Sequence, residues 1–120
     1  MKSHKDLDVW KAAVQLAKHV YEATRDFPKT EMFGMTAQMR RSSVSIASNI
    51  AEGAARQSSR EFAQFIHIAL GSAAELETQL AIAGEVDLMR KSTSDGLDRE
   101  LLRIRQMLRG LVRTVKTPGP

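Results

Sequence analysis

The chain has 120 residues, of which 42% are hydrophobic and 27% charged, with seven glycines and three prolines. That is the length and composition of one soluble, folded domain, and it excludes a multidomain enzyme and a disordered chain. Cysteine is absent, which excludes disulfides, thiolate metal sites and a cysteine nucleophile and makes the cytoplasm the expected location. The longest apolar run, Leu80 to Ala83, is far too short to span a bilayer, and Met1 to Trp10 carries four charges where a signal peptide has its apolar core, so neither a membrane span nor export is expected.

The net charge of +4 is unevenly spread. Residues 1–35 carry six Lys/Arg against five Asp/Glu, 36–56 three against one, 57–96 three against six, and 97–120 six against two. A chain polarised in this way attracts a polyanion to its basic side, or the acidic surface of another copy, and charge alone does not choose between the two.

No alternating apolar and polar stretch and no Asn-Gly hairpin turn argues for a strand, whereas helical periodicity recurs throughout. From Asp6 to Phe27 the stripe Val9, Ala13, Leu16, Val20, Ala23 and Phe27 predicts helix 1, with Trp10, Val14, Ala17 and Tyr21 beside it. Phe27-Pro28 ends it, because a residue before proline is pushed out of the helical region. After a connection over Lys29 to Gly34, helix 2 is predicted from Met35 or Thr36 to Ala55, with Met39, Ser43, Ile46, Ile50 and Gly53 on one face. Its many small residues let a neighbouring helix approach closely.

Ser58-Ser59-Arg60-Glu61 has the form of a capping box and opens helix 3. Its stripe is Phe62, Ile66, Ala69, Ala73, Leu76, Leu80 and Ala83, and it is expected to end near Asp87 or Leu88. Lys91 to Gly96, rich in Ser, Thr and Asp, reads as a loop and cap before helix 4, whose stripe is Leu97, Leu101, Ile104, Leu108, Leu111 and Val115. Four amphipathic helices on short loops predict an all-α, antiparallel up-down-up-down four-helix bundle over residues 1–116, with 117–120 as a disordered tail. Trp10, Tyr21, Phe65 and Ile68 lie beyond the seams; they either widen a single core or serve self-association into a homo-oligomer.

Chemistry-bearing motifs are few. None of His4, His19 and His67 has a Glu three residues before it, and no His-x-x-x-His pair occurs, so no metal and no other cofactor is expected. Phosphate-cradling glycine loops and a serine-nucleophile elbow are missing, and no small-molecule substrate is indicated. Arg60 and His67, two helical turns apart, resemble the pair used by helical metal-independent ribonucleases, although a capping-region arginine beside a partly buried histidine is the simpler reading.

The arginines say more. Arg105, Arg109 and Arg113 repeat every four residues and Arg99 and Arg103 form a second pair, giving helix 4 two rows flanking its apolar seam; Arg40, Arg41 and Arg56 add to helix 2. Guanidinium forks suit phosphate, which makes these eight residues candidates for binding RNA or DNA; the alternative is that they pair with Glu75, Glu77, Glu85 and Asp87 of helix 3. With no aromatic on the rows to stack unpaired bases, contact would be to backbone and shape.

The string from Phe33 to Gly53, FGMTAQMRRSSVSIASNIAEG, closely resembles the signature of the bacterial four-helix-bundle family named after the 23S rRNA intervening-sequence protein. Asp6 to Ala13, Phe27-Pro28-Lys29, Arg60-Glu61-Phe62 and Gly71 to Leu80 are similar to its other segments, in order. The resemblance implies a small up-down bundle that assembles into a ring, commonly a pentamer, with no demonstrated enzymatic activity and, by analogy with the accessory proteins of diversity-generating retroelements, a role in holding nucleic acid. Two positions depart from the family: Ala47 stands where proline is frequent, implying a straighter helix 2, and Ala54-Ala55 follow Glu52-Gly53 where an aromatic or glycine is usual. Asn49 and Glu52, three apart on one face, are expected to hydrogen-bond to neighbouring helices or cap the end of the bundle, a ligand role being the alternative.

Overall fold

The computed structural model describes residues 3–116; the tail expected at 117–120 lies outside them. A single 3-10 turn (His4–Asp6) leads into α1 (Asp8–Thr24), followed by α2 (Met35–Ala54), α3 (Ser59–Glu85) and α4 (Lys91–Lys116), with a second 3-10 turn at Lys29–Glu31. Among the described residues there is no strand. Each helix packs on its neighbour in sequence and α4 closes onto α1, while the diagonal pairs α1–α3 and α2–α4 do not meet. The result is the expected antiparallel four-helix bundle, square in section and 53 × 22 × 19 Å in extent.

The stripes predicted from periodicity form the interior. Leu16, Met39, Ile46, Ile66, Leu76, Leu80, Ile104 and Leu108 have no more than 1% of their surface exposed, and each such aliphatic side chain contributes about 1.5–3 kcal/mol by leaving water. On α4 the seam drifts: Val112 is buried, whereas Leu111 and Val115 only border the core. A straight helix turns by about 100° per residue, so a strict four-three repeat slowly rotates out of register.

The α2–α3 contact is the most extensive in the bundle. Gly53 makes it possible, because a Cβ there would stand 2.7 Å from Phe65 Cβ and 3.0 Å from Phe62 Cδ1. Ser45 and Ser72 meet across the same seam at 2.8 Å. α2 runs unbroken through Ala47, as the absence of proline predicts.

Three expectations are corrected. First, α4 begins at Lys91, and the residues read as its loop form its first turns. Ser94 is buried there, its hydroxyl donating to the Leu80 carbonyl at 3.4 Å, and Lys91 pairs with Asp95 one turn on. The chain reverses earlier, at Val86–Arg90, where Asp87 adopts φ 60°, the left-handed conformation that aspartate tolerates better than most residues. Second, the box at Ser58 is half formed: its hydroxyl accepts from the Glu61 N–H at 3.1 Å and donates to the Glu61 carboxylate at 3.3 Å. The complete reciprocal box lies at Ser3 and Asp6. Third, the residues beyond the seams divide. Trp10 and Phe65 are half-buried, Trp10 packing edge-on to His4, while Tyr21 and Ile68 are 44% and 51% exposed.

Candidate nucleic-acid interface

The eight candidate arginines do not form one surface, and packing sorts them into two groups. Arg40, Arg56 and Arg105 are held by the fold. Arg40 lies over the Tyr21 ring with its carbon 4.5 Å from the centroid, and its Nε donates to Thr24 Oγ1 at 2.9 Å, tying α2 to α1. Arg56 lies over Phe65 at 4.7 Å, folding the end of α2 onto α3. Arg105 donates to Glu77 at 2.6 Å across the α3–α4 seam with only 19% of its side chain exposed. These aromatic partners were not expected from the sequence, since Tyr21 and Phe65 lie 19 and nine residues from the arginines they carry.

Arg41, Arg99, Arg103, Arg109 and Arg113 are exposed, as is Arg56 despite its seat on Phe65. The two rows read on helix 4 are therefore not symmetrical flanks of the seam. Arg105 borders the apolar stripe, and each step of four residues rotates by about 40° further, carrying Arg109 and then Arg113 onto the solvent side with Arg99 and Arg103. α4 carries no carboxylate after Glu100, and Glu100 itself is turned to α1, where its oxygens lie 2.9 Å from His19 Nδ1.

The acidic residues of α3 and early α4 are also sorted. Glu77 holds Arg105, Asp95 holds Lys91, and Asp98 lies near both carboxylates. Burial, then the charges of Glu77 and Asp95, hold the Asp98 carboxyl above its usual range, with Lys91 opposing them. Glu75 faces the other way, into a shallow cleft of about 330 Å³ between α2 and α3 that it shares with Gln38, Arg41, Ser45, Ser72 and Gln79. Gln79 Oε1 is enclosed there without a partner.

Arg60 and His67 line one cleft of about 410 Å³ with Ser59, Ala63, Gln64 and, from α4, Val115. The structure thus brings the two residues together at the end of the α3–α4 groove. Among the described residues lining it, Arg60 and His67 are the charged or titratable ones.

Asn49 and Glu52 differ from expectation. The Asn49 amide donates within its own helix, to the Ser45 carbonyl at 2.8 Å and to Ser45 Oγ at 3.0 Å, reaching α3 only through the Ser45–Ser72 contact. Glu52 is exposed and makes no ion pair or hydrogen bond among the described residues. Gly53 has a packing role. Among the described residues no group of His, Asp and Glu could hold a metal ion, and no helix is long and apolar enough to cross a membrane.

The comparisons with known proteins agree with this architecture. Residues 5–110 match the family described as 23S rRNA-intervening sequence protein. A solved structure of a protein of unknown function from the S23 ribosomal protein family of Bacteroides thetaiotaomicron VPI-5482 superposes with a TM-score of 0.76, covering 91% of this chain and 99% of its own at 24% identity. None of the curated proteins matches the chain.

Proposed function

The chain belongs to the 23S rRNA-intervening sequence protein family, and we propose that it is a non-catalytic, cytoplasmic RNA-binding scaffold that grips phosphate through the outer face of α4. The observation that carries this reading is charge sorting. Arg99, Arg103 and Arg109 lie exposed along α4, beyond reach of the carboxylates that occupy Arg105 and His19, and Arg113 continues the exposed row. Along the helix axis the four span roughly 21 Å, and guanidinium forks spread over the outer face without aromatics suit the backbone of structured RNA better than unstacked bases.

Self-association belongs to the same reading. Tyr21, Met32 and Val44 are 44%, 52% and 42% exposed around a shallow depression between α1 and α2, and Phe33 beside them is 93% exposed. On α3, Ile68, Ile82 and Val86 are also exposed, with Glu75 midway between the first two. Arg41 borders the first patch, and the two patches are both apolar. Two different patches meeting head to tail generate a ring, and a pentamer is the ring the family resemblance implies.

The test is titration of a structured RNA at two salt concentrations with wild type and with the Arg99→Gln/Arg103→Gln/Arg109→Gln variant. Binding is expected to weaken by about 0.7–0.9 log units per tenfold salt for each phosphate neutralised, and the variant should show a shallower slope. Absence of binding at low salt, or a variant indistinguishable from wild type, would leave the arginines as solvent-facing charge on a pure protein-interaction module.

A further inference from the structure

We propose that the cleft between α2 and α3 is a binding site for a small zwitterion of the α-amino-acid class, with Arg41 taking its carboxylate and Glu75 its ammonium group. This site is separate from the α4 face assigned to RNA.

The register of two antiparallel helices lays out the cleft. Ser45 and Ser72 meet at one end, 2.8 Å apart, and the Asn49 amide donates to Ser45 Oγ at 3.0 Å, so that end is closed by hydroxyls already engaged. Ser42 and Glu75 each lie three residues from that contact, Arg41 lies four from it, and Gln38 and Gln79 each lie seven. The two glutamines therefore stand at the opposite end, roughly 10 Å away. The volume between is about 330 Å³, room for about ten heavy atoms at the ~30 Å³ that a water molecule occupies in the liquid. An amino acid with a short polar side chain has that size.

Two observations point to such an occupant. The first is Gln79. Only 9% of this residue is exposed, yet its amide makes no hydrogen bond among the described residues, and Oε1 is enclosed without a donor. A buried amide left unpaired destabilises the fold, so one retained in the wall of a cleft points to a partner that arrives from outside.

The second is charge. Arg41 and Glu75 are both exposed at the cleft, but neither makes an ion pair or hydrogen bond, with the other or with any described residue. An anion on Arg41 meets the repulsion of Glu75, and a cation on Glu75 that of Arg41, whereas a molecule carrying both signs a few bonds apart satisfies both. No aromatic side chain lines the cleft to stack a nucleobase. With the carboxylate in the Arg41 fork and the ammonium donating to Glu75, the ligand's side chain runs toward Gln38 and Gln79. An amide or hydroxyl there pairs with the Gln79 amide once its last torsion turns to present either end.

The test uses L-glutamine, L-asparagine and L-serine, whose side chains carry those groups, each titrated into the full chain and followed by saturation-transfer NMR. At least one is expected to bind saturably, in the millimolar range that an open cleft supports. It is then compared with its two truncated forms, the deaminated acid and the decarboxylated amine, which for glutamine are glutaramate and 4-aminobutanamide. Each truncated form is expected to bind at least about tenfold more weakly. Arg41→Gln and Glu75→Gln, both exposed substitutions, are each expected to weaken binding of the amino acid on the order of tenfold. Gln79→Met removes the unpaired amide at nearly constant volume; it is expected to weaken binding while raising the unfolding midpoint of the unliganded bundle, a combination that a purely structural glutamine would not give. Absence of saturable binding by all three amino acids overturns the proposal. So does a deaminated acid bound as tightly as the amino acid, which would reduce the cleft to an anion contact of Arg41, or unchanged affinity in the Arg41 and Glu75 variants. None of these results touches the α4 reading, which rests on other residues.

Discussion

Arg105 donates to Glu77 at 2.6 Å across the α3–α4 seam, while Arg109, one turn on, meets no carboxylate among the described residues. The same residue type at the same spacing thus has two jobs. Replacing Glu77 by Ala leaves a largely covered guanidinium without its acceptor, and its Nε already lacks a partner. The expected loss is about 1–2 kcal/mol, held down by the exposure of Glu77, seen as a lower unfolding midpoint. Arg109→Gln should leave that midpoint within about 0.5 kcal/mol of wild type and act on RNA affinity instead. Equal thermal effects of the two would contradict the division.

Gly53 marks a close approach of α2 to α3, since a Cβ at this position would overlap Phe65 and Phe62. Gly53→Ala forces α2 away from α3 and is expected to destabilise by about 1–3 kcal/mol, although alanine is the better helix former. Chemical denaturation checks this; a stabilised variant would show that the two helices can separate at no penalty.

Asp98 yields a pH prediction. Its folded-state carboxyl lies above the ordinary range because burial and the neighbouring Glu77 and Asp95 disfavour the charge. A raised folded value means that the native state holds the proton more tightly than the unfolded chain does. The favourable contribution is therefore fully present below the unfolded value and disappears as pH rises through the folded one. Asp98→Asn is expected to raise the unfolding midpoint at neutral pH, with the advantage shrinking as the solution is acidified through the carboxylate range. A constant advantage at every pH would place its cause elsewhere.

Phe33 tests self-association. It is 93% exposed at the rim of the α1–α2 patch, so a charge there costs the isolated bundle almost nothing, whereas in a subunit contact it is prohibitive. Phe33→Asp/Val44→Asp is expected to reduce the mass measured by light scattering while preserving helicity. An unchanged mass would remove this face from any assembly.

How far the molecule is legible from its sequence depends on which force decides each feature. The buried stripes of α1 to α3 are readable because burial of Val9, Leu16, Ile46 or Leu76 follows the helical period directly. The start of α4 is not, because Ser92, Thr93, Ser94 and Asp95 carry the local chemistry of a loop; the helix wins through burial of Ser94 and Leu97 against α3 and α1. The arginines show the same limit. Spacing locates Arg105, Arg109 and Arg113 on one helix, but only the position of Glu77 on the facing helix decides that Arg105 is the one it neutralises. The aromatic seats of Arg40 and Arg56 are likewise tertiary facts, whereas the Arg60–His67 cleft is anticipated by their separation of two turns.

The square section places the α1–α2 side and the α3–α4 side back to back. Copies fastened through Phe33 and its neighbours would carry their basic α4 faces around a common rim, and one folded RNA could touch several at once. A second contact made by a molecule already tethered is governed by local concentration, so avidity can exceed the strength of one face by a factor on the order of 10²–10⁴. A weak face, repeated by assembly, then suffices for a tight complex.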